Sequence, residues 1–380
     1  MTTIGAATRP ASWDNETGAF RITGFSEASA VLRGDGWSSD PRLSPLVAPQ
    51  AQVMPPGALL FTDPPEHTRL RRLLSPAFAP KTIEQLRPRV TSIVDTAVDG
   101  LAELEPQIDI LADLAYPVTL AVIAELLDVG TDGAQQFAEQ TPNLVRMLEI
   151  DATSEDLMAS AIASTELMLF LTPILTERAH HPGDDFISAL LALQDEPDGL
   201  DLAEVMATCI LLLAAGHETT ANLITNSTLA LLNHPDQLPH LFANPERAVE
   251  ELLRLEGPVK LAGRTALVDH HVGGEHIRPG QAALVHIQQA NRDPLRFVAP
   301  LRLDLTRKPS GHLAFGAGPH FCLGAALARL ETAETLTRLF ARYPTLGLTD
   351  TTAQWRRSST FHAVDKLHVR LGNDIHERVT

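Results

Sequence analysis

The stretch Phe315–Glu331 reads FGAGPHFCLGAALARLE. It carries Cys322, one of only two cysteines in 380 residues, inside a loop with glycines at 316, 318 and 324. The residues from Ala325 to Glu331 are good helix formers, which places Cys322 just before or at a helix N-terminus. Unpaired N–H groups and the positive end of the helix dipole meet there, and both stabilise a thiolate. Glycine permits φ > 0 and lets another body approach the backbone. Gly324, two residues past the sulfur, leaves room for something flat and large. A lone Cys in an apolar segment is more often a small buried hydrophobe. A single thiolate in a tight, glycine-lined loop also suits an axial ligand to haem iron.

The spacing decides between these readings. Phe315-Gly316-x-Gly318-x-His320-x-Cys322-x-Gly324, followed by a helix, resembles the haem-binding loop of the cytochrome P-450 family, with every fixed position filled. The resemblance implies haem b, with Cys322 as metal ligand, Phe315 and Gly324 against the cofactor and His320 on a propionate. It also implies a mainly α fold with small β-sheets (α+β) and a long central helix over the haem.

Upstream, Asp63-Pro64-Pro65-Glu66 reads as a helix start with Asp63 as N-cap, leading into HTRLRRLLSPAF. His67 and Arg71 are four apart and share a face. The stretch is similar to the family's Asp-Pro-Pro-x-His-x-x-x-Arg motif, in which both residues hold a haem propionate; a charge-assisted bond suits that carboxylate.

Leu200–Asn233 reads LDLAEVMATCILLLAAGHETTANLITNSTLALLN, helical throughout and apolar almost all round at its centre. Gly216-His217-Glu218-Thr219-Thr220 sits in that centre, a poor composition for a buried helix. A local rule broken at one point marks chemistry there. The stretch resembles the family's Ala-Gly-x-(Asp/Glu)-Thr signature. By position, Thr219 is the alcohol that hydrogen-bonds dioxygen, Glu218 the acid that feeds protons, and Gly216 the residue that loosens the helix. The other reading of Glu218 is a structural salt bridge. Cys209 on the same helix is packing.

Glu251 and Arg254, at i and i+3, meet on one helix face, and resemble the family's structural Glu-x-x-Arg pair. Residues 257–280 change to an alternating period with turns at Gly273-Gly274 and Pro279-Gly280, a small sheet. There Arg264 fits the arginine of a second propionate. The resemblance implies a substrate pocket of Leu211, Ala214, Ala215, Val259, Lys260 and Phe361. Lys260 departs from the family, which usually has an apolar residue there; facing inward, it would pair with a carboxylate on the substrate. Pro41–Leu60, with five prolines, reads as a loop and corresponds to the segment that roofs the pocket in the family. From Thr82 to about Arg178 the pattern is helical, broken at Pro173 and at 180–183.

The totals agree with a large enzyme. Hydrophobic residues make up 44% and the net charge is −17, which argues against nucleic acid as partner. Two distant cysteines give no disulfide framework and point to a reducing cytoplasm. The N-terminus shows neither signal peptide nor membrane anchor, and the longest apolar run, Cys209–Ala215, is too short to span a bilayer. The expectation is one haem-binding oxygenase domain over residues 1–380, β-rich near 18–60 and 257–310 and helical elsewhere. The resemblance implies insertion of one oxygen atom from dioxygen into a hydrophobic small molecule, by hydroxylation or epoxidation, in secondary metabolism or catabolism. Its length leaves no room for a fused electron-transfer domain, so a ferredoxin and ferredoxin reductase are the expected donors. Arg69, Arg72 and Arg329 are expected to form their docking patch. Other outcomes of haem-thiolate chemistry (oxidative coupling, desaturation, peroxide-driven oxidation), a haem gas sensor and a cofactor-free helical interaction protein are the competing readings.

Overall fold

The computed structural model describes residues 9–55, 57–309, 311–349 and 353–372. Among the described residues helices dominate, and four small sheets flank them. The largest sheet has five strands in the order Ala11–Asp14, Ala19–Ile22, Ala282–His286, Leu261–Ala266 and Trp37–Ser38. Only the Ala19–Ile22 and Ala282–His286 pair is parallel; the other neighbours are antiparallel.

Residues Leu202–Asn233 form one continuous central helix whose backbone changes register once. It is α-helical over Leu202–Leu212 and Glu218–Asn233, with a π-turn at Leu213–His217 between them. Asp201 and Glu204 close its start with a reciprocal capping box. Thr208, Thr219, Thr225 and Thr228 each donate their hydroxyl to the carbonyl four residues back, at 2.6–2.9 Å. That is how a buried apolar helix satisfies these four threonine hydroxyls.

The helix after the cysteine, Ala325–Arg342, packs against Pro80–Gly100, Pro245–Glu256 and the second half of the central helix. Pro245–Glu256 is started by the Asn244 side chain on the Arg247 amide and by proline in the first turn. Glu251 and Arg254 are both buried and form two bonds, at 2.7 and 2.8 Å. Arg254 also donates to the carbonyls of Asn291, Pro300 and Arg302, and Arg307 joins Glu251 at 2.9 Å. This pair therefore fastens the irregular segment that precedes the cysteine loop.

Three local expectations are corrected. Pro173 does not interrupt its helix, which runs from Ser154 to His180. Its missing N–H and ring lie on an exposed side, where no tertiary bond is lost. Asp63 does not cap the helix Glu66–Leu74, which starts three residues later. Its carboxylate instead accepts from the Ser38 hydroxyl and, at 2.8 Å, from the Ser39 amide. Third, Ile110–Leu127, Ser154–His180 and Leu202–Asn233 are each long and apolar enough to cross a membrane by length and composition. In the first and third, 67% and 56% of the apolar window is buried inside the fold.

Candidate active site

The sheet, the central helix and the cysteine loop enclose a cavity of about 420 Å³. Cys322 opens on it from one side and Thr219 from the other. The loop is shaped by its glycines. Gly316 and Gly318 have φ of +70° and +72°, left-handed conformations that favour glycine. A Cβ on Gly318 would fall 2.4 Å from the Leu32 carbonyl oxygen, so this glycine also lets the loop lie on the helix Phe25–Arg33. The Cys322 amide donates to the Phe315 carbonyl at 2.9 Å, which closes the loop. Gly324 caps the following helix, and a Cβ there would meet nothing within 4 Å. Bare backbone thus faces the cavity where the sequence expects a flat body.

Burial raises the Cys322 thiol above its ordinary pKa; the Gly324 amide and the charges of Arg71 and Arg329 act in the opposite direction. A free thiol here stays protonated at neutral pH. A thiolate in this loop therefore calls for a metal cation to hold it.

At one end of the same cavity His67, Arg71, Arg264 and His320 converge. The rings of His67 and His320 lie 4.0 Å apart. Burial lowers the pKa of all four groups. Arg264 falls to about 10, and His320, pressed also by Arg264, His67 and Arg71, to about 3. The Nε2 atom of His67 is buried with no hydrogen-bond partner. Four donors crowded together, one of them orphaned, fit carboxylates that belong to something else. The propionates of haem meet that description, and the donor set fits the group.

The π-turn puts the opposite wall in place. Ala215, Gly216, Thr219 and Thr220 line the cavity. Ala214, Glu218 and Asn222 fall on another row of the helix, four residues apart, and do not line it. Ala214 packs in the core, 1% exposed. Glu218, 2% exposed, is gripped on the far side of the helix. It accepts from the Tyr116 hydroxyl and the Asn222 amide, each at 3.0 Å, and is hydrogen-bonded to the Arg356 guanidinium. Arg356 also donates to the Tyr116 oxygen at 3.2 Å. Burial is the largest influence on Glu218 and opposes its charge, but the guanidinium and hydrogen bond of Arg356, the Asn222 amide and His217 together outweigh it, and the carboxyl stays below its usual pKa. The neighbouring His217 is neutral, its pKa driven to about 4 by burial, with its Nδ1 2.7 Å from the Thr119 hydroxyl.

Tyr116, Thr119, Asn222 and Arg356 escaped sequence reading. A hint existed in Tyr116, one of only two tyrosines, placed at the start of a mostly aliphatic helix. Arg356 gave none, because its partner is 138 residues away.

Of the expected pocket residues, Leu211, Ala215, Val259 and Phe361 line the cavity, and Lys260 does not. Residues alternate faces along an extended segment, so Val259 and Leu261 turn inward and Lys260 turns out. Its ammonium hydrogen-bonds the Ser358 carbonyl, near Glu149 and Asp151. The expected docking arginines are also committed elsewhere. Arg69 is bound to Glu66 and Glu204, and Arg329 to Glu250 at 2.5 Å. Only Arg72 is exposed, so these three do not form a free basic patch.

A family model described as Cytochrome P450 matches residues 12–244 and 245–354. The chain is 36% identical over 358 residues to the biotin biosynthesis cytochrome P450 of Bacillus subtilis, covering 92% of this chain and 89% of the relative. It is 36% identical over 373 residues to 6-deoxyerythronolide B hydroxylase of Saccharopolyspora erythraea, covering 93% and 90%. Among solved structures, P450BioI in complex with an acyl carrier protein ligated to hexadec-9Z-enoic acid superposes with a TM-score of 0.87 at 34% identity, covering 95% of this chain and 94% of that one. The chain belongs to the cytochrome P450 family. It is a haem-thiolate monooxygenase, an oxidoreductase that uses dioxygen.

Proposed function

We propose that the whole chain works as one oxygenase domain that binds haem b through Cys322 and inserts one oxygen atom into a hydrophobic small molecule, by hydroxylation or epoxidation. The reading rests on one observation: a thiol in a glycine loop and a cluster of four donor side chains, one of them orphaned, open on the same apolar cavity. His67, Arg71, Arg264 and His320 would hold the propionates, and Phe315 and Gly324, which line the cavity, would lie against the ring. The bound group supplies activation of dioxygen, favoured by electron release from the thiolate.

The chain's own residues do the rest. Leu211, Ala215, Val259 and Phe361 exclude water and hold the substrate by apolar contact. Thr219 Oγ1 is the last protein atom on the proton path. Glu218 carries protons to it from the Arg356 side, where the guanidinium lies 3.8 Å from the exposed Asp365. Because Glu218 is turned from the cavity, each transfer requires its carboxylate to swing or to act through water. Electrons come from a ferredoxin and its reductase, and the cytoplasm is the working compartment. Named relatives act on varied molecules, among them 6-deoxyerythronolide B and vitamin D(3), which supports a hydrophobic substrate without choosing one.

The reduced protein exposed to carbon monoxide tests the reading. A strongly red-shifted Soret band is expected, as an anionic sulfur donor gives. Its absence from folded, haem-loaded protein would remove the thiolate and the proposed function with it.

A further inference from the structure

Arg21 occupies an odd place. It lies in the strand Ala19–Ile22, where Ala19, Phe20 and Ile22 are buried. Its register partners are Ser12 on one side and Leu284 on the other. In-register residues of neighbouring strands share a sheet face. Leu284 lines the cavity, and so does Leu261, the partner of His286 two residues further along. Ala19, Ala282 and Leu284 pack against Leu46 and Ile150 of the roofing loops. Arg21 and His286 therefore stand on the cavity side of the sheet, just beyond the lining residues: His286 at the end of the lining strand and Arg21 one strand further out.

Their donors there are unused. Arg21 Nε and His286 Nε2 are buried without a hydrogen-bond partner, and Gln288 Nε2, two residues beyond, is in the same condition. Leaving a buried donor unpaired is unfavourable, more so on a charged group. Burial and the charge of Arg21 lower the pKa of His286 to about 4. The imidazole is thus neutral at pH 7, and offers one N–H. Asp14, on the next strand, is the carboxylate that faces this group. It accepts from the Glu16 amide at 3.0 Å and leaves the three nitrogens unpaired.

We propose that Arg21, with His286 near it, forms an anion subsite just beyond the cavity lining, on the same sheet face, and that the substrate is an apolar chain or ring system ending in a carboxylate. The head group binds Arg21 while the apolar body reaches toward Cys322. This deepens the oxygenase reading and rests on it. Lys260, the expected carboxylate partner, is turned away, and Arg21 takes that part from the strand Ala19–Ile22.

The test uses haem-loaded protein titrated with decanoic, tetradecanoic and octadecanoic acids and their methyl esters. Binding is followed by Soret shift and by calorimetry. The best acid should bind about tenfold more tightly than its ester, the effect of one charge-assisted bond. Arg21→Met should abolish that preference and leave the ester within about threefold, while Arg21→Lys keeps part of it. Equal binding of acid and ester by the parent protein, no acid binding in calorimetry, or an unchanged ratio in Arg21→Met would each overturn the subsite. A protein that binds esters and shows the red-shifted carbon monoxide spectrum, yet fails these tests, loses the subsite and keeps its proposed function.

Discussion

The two walls that face each other across the cavity are held in different ways. The cysteine loop is shaped by its own backbone. Two positive-φ glycines, one amide bond back to Phe315 and a helix start fix it within about ten residues. The break in the central helix is held from far away. Glu218 takes its position from Tyr116, 102 residues before it, and Arg356, 138 after it. A local backbone device tolerates change in distant side chains. A buried ion pair assembled from three segments does not, because losing any one member strands the others.

Substitutions on each wall can break or sharpen this contrast. The largest effect is expected from Cys322→Ser. Turnover should fall to background and the red-shifted carbon monoxide band should vanish, while circular dichroism stays helical. Glu251→Ala leaves Arg254 and Arg307 buried without their carboxylate, and should cost about 3–5 kcal/mol in denaturant unfolding of the haem-bound protein.

Arg356→Met comes next, at about 3 kcal/mol, with most of the loss recovered in the double variant Glu218→Gln/Arg356→Met. The sign of its pH dependence follows from the depressed pKa of Glu218. The pair's contribution is complete above the ordinary glutamate value of about 4.3 and is lost as pH falls through the lower folded value. If Arg356→Met and the parent unfold alike at pH 7, the distal wall is not held by this pair.

Thr219→Ala should leave ligand-induced Soret shifts intact and lower product formed per NADH by about tenfold, less than the loss of a full general acid because water can still deliver protons. An unchanged yield would remove Thr219 from the proton path. The smallest effect belongs to Lys260→Met, within about 0.5 kcal/mol of parent stability and within about threefold in substrate affinity. A larger loss of affinity would mean that the ammonium reaches the substrate after all.

Legibility differed along the same line. Cys322, His320 and the glycines were readable because their roles depend on neighbours in the chain. His67 and Arg71 were readable as a pair because helical spacing puts them on one face. Ala214 was misplaced within an otherwise correct helix. The π-turn at Leu213–His217 shifts the rows, and nothing in the residue types announces where such a turn begins. Asp63 before two prolines has the chemistry of a cap, yet tertiary contact with Ser38 and Ser39 claims its oxygens.

The sequence by itself determined the cysteine loop, the long apolar helix with its polar interruption, and the Glu251–Arg254 pair, since glycine dihedrals and helical period act over a few residues. Only the tertiary structure decided that Glu218 turns to Arg356, that Lys260 faces outward and that Arg21 stands on the cavity side. Those outcomes depend on which distant segments share a buried space, and charges taken out of water settle on whatever partners the packing brings within reach.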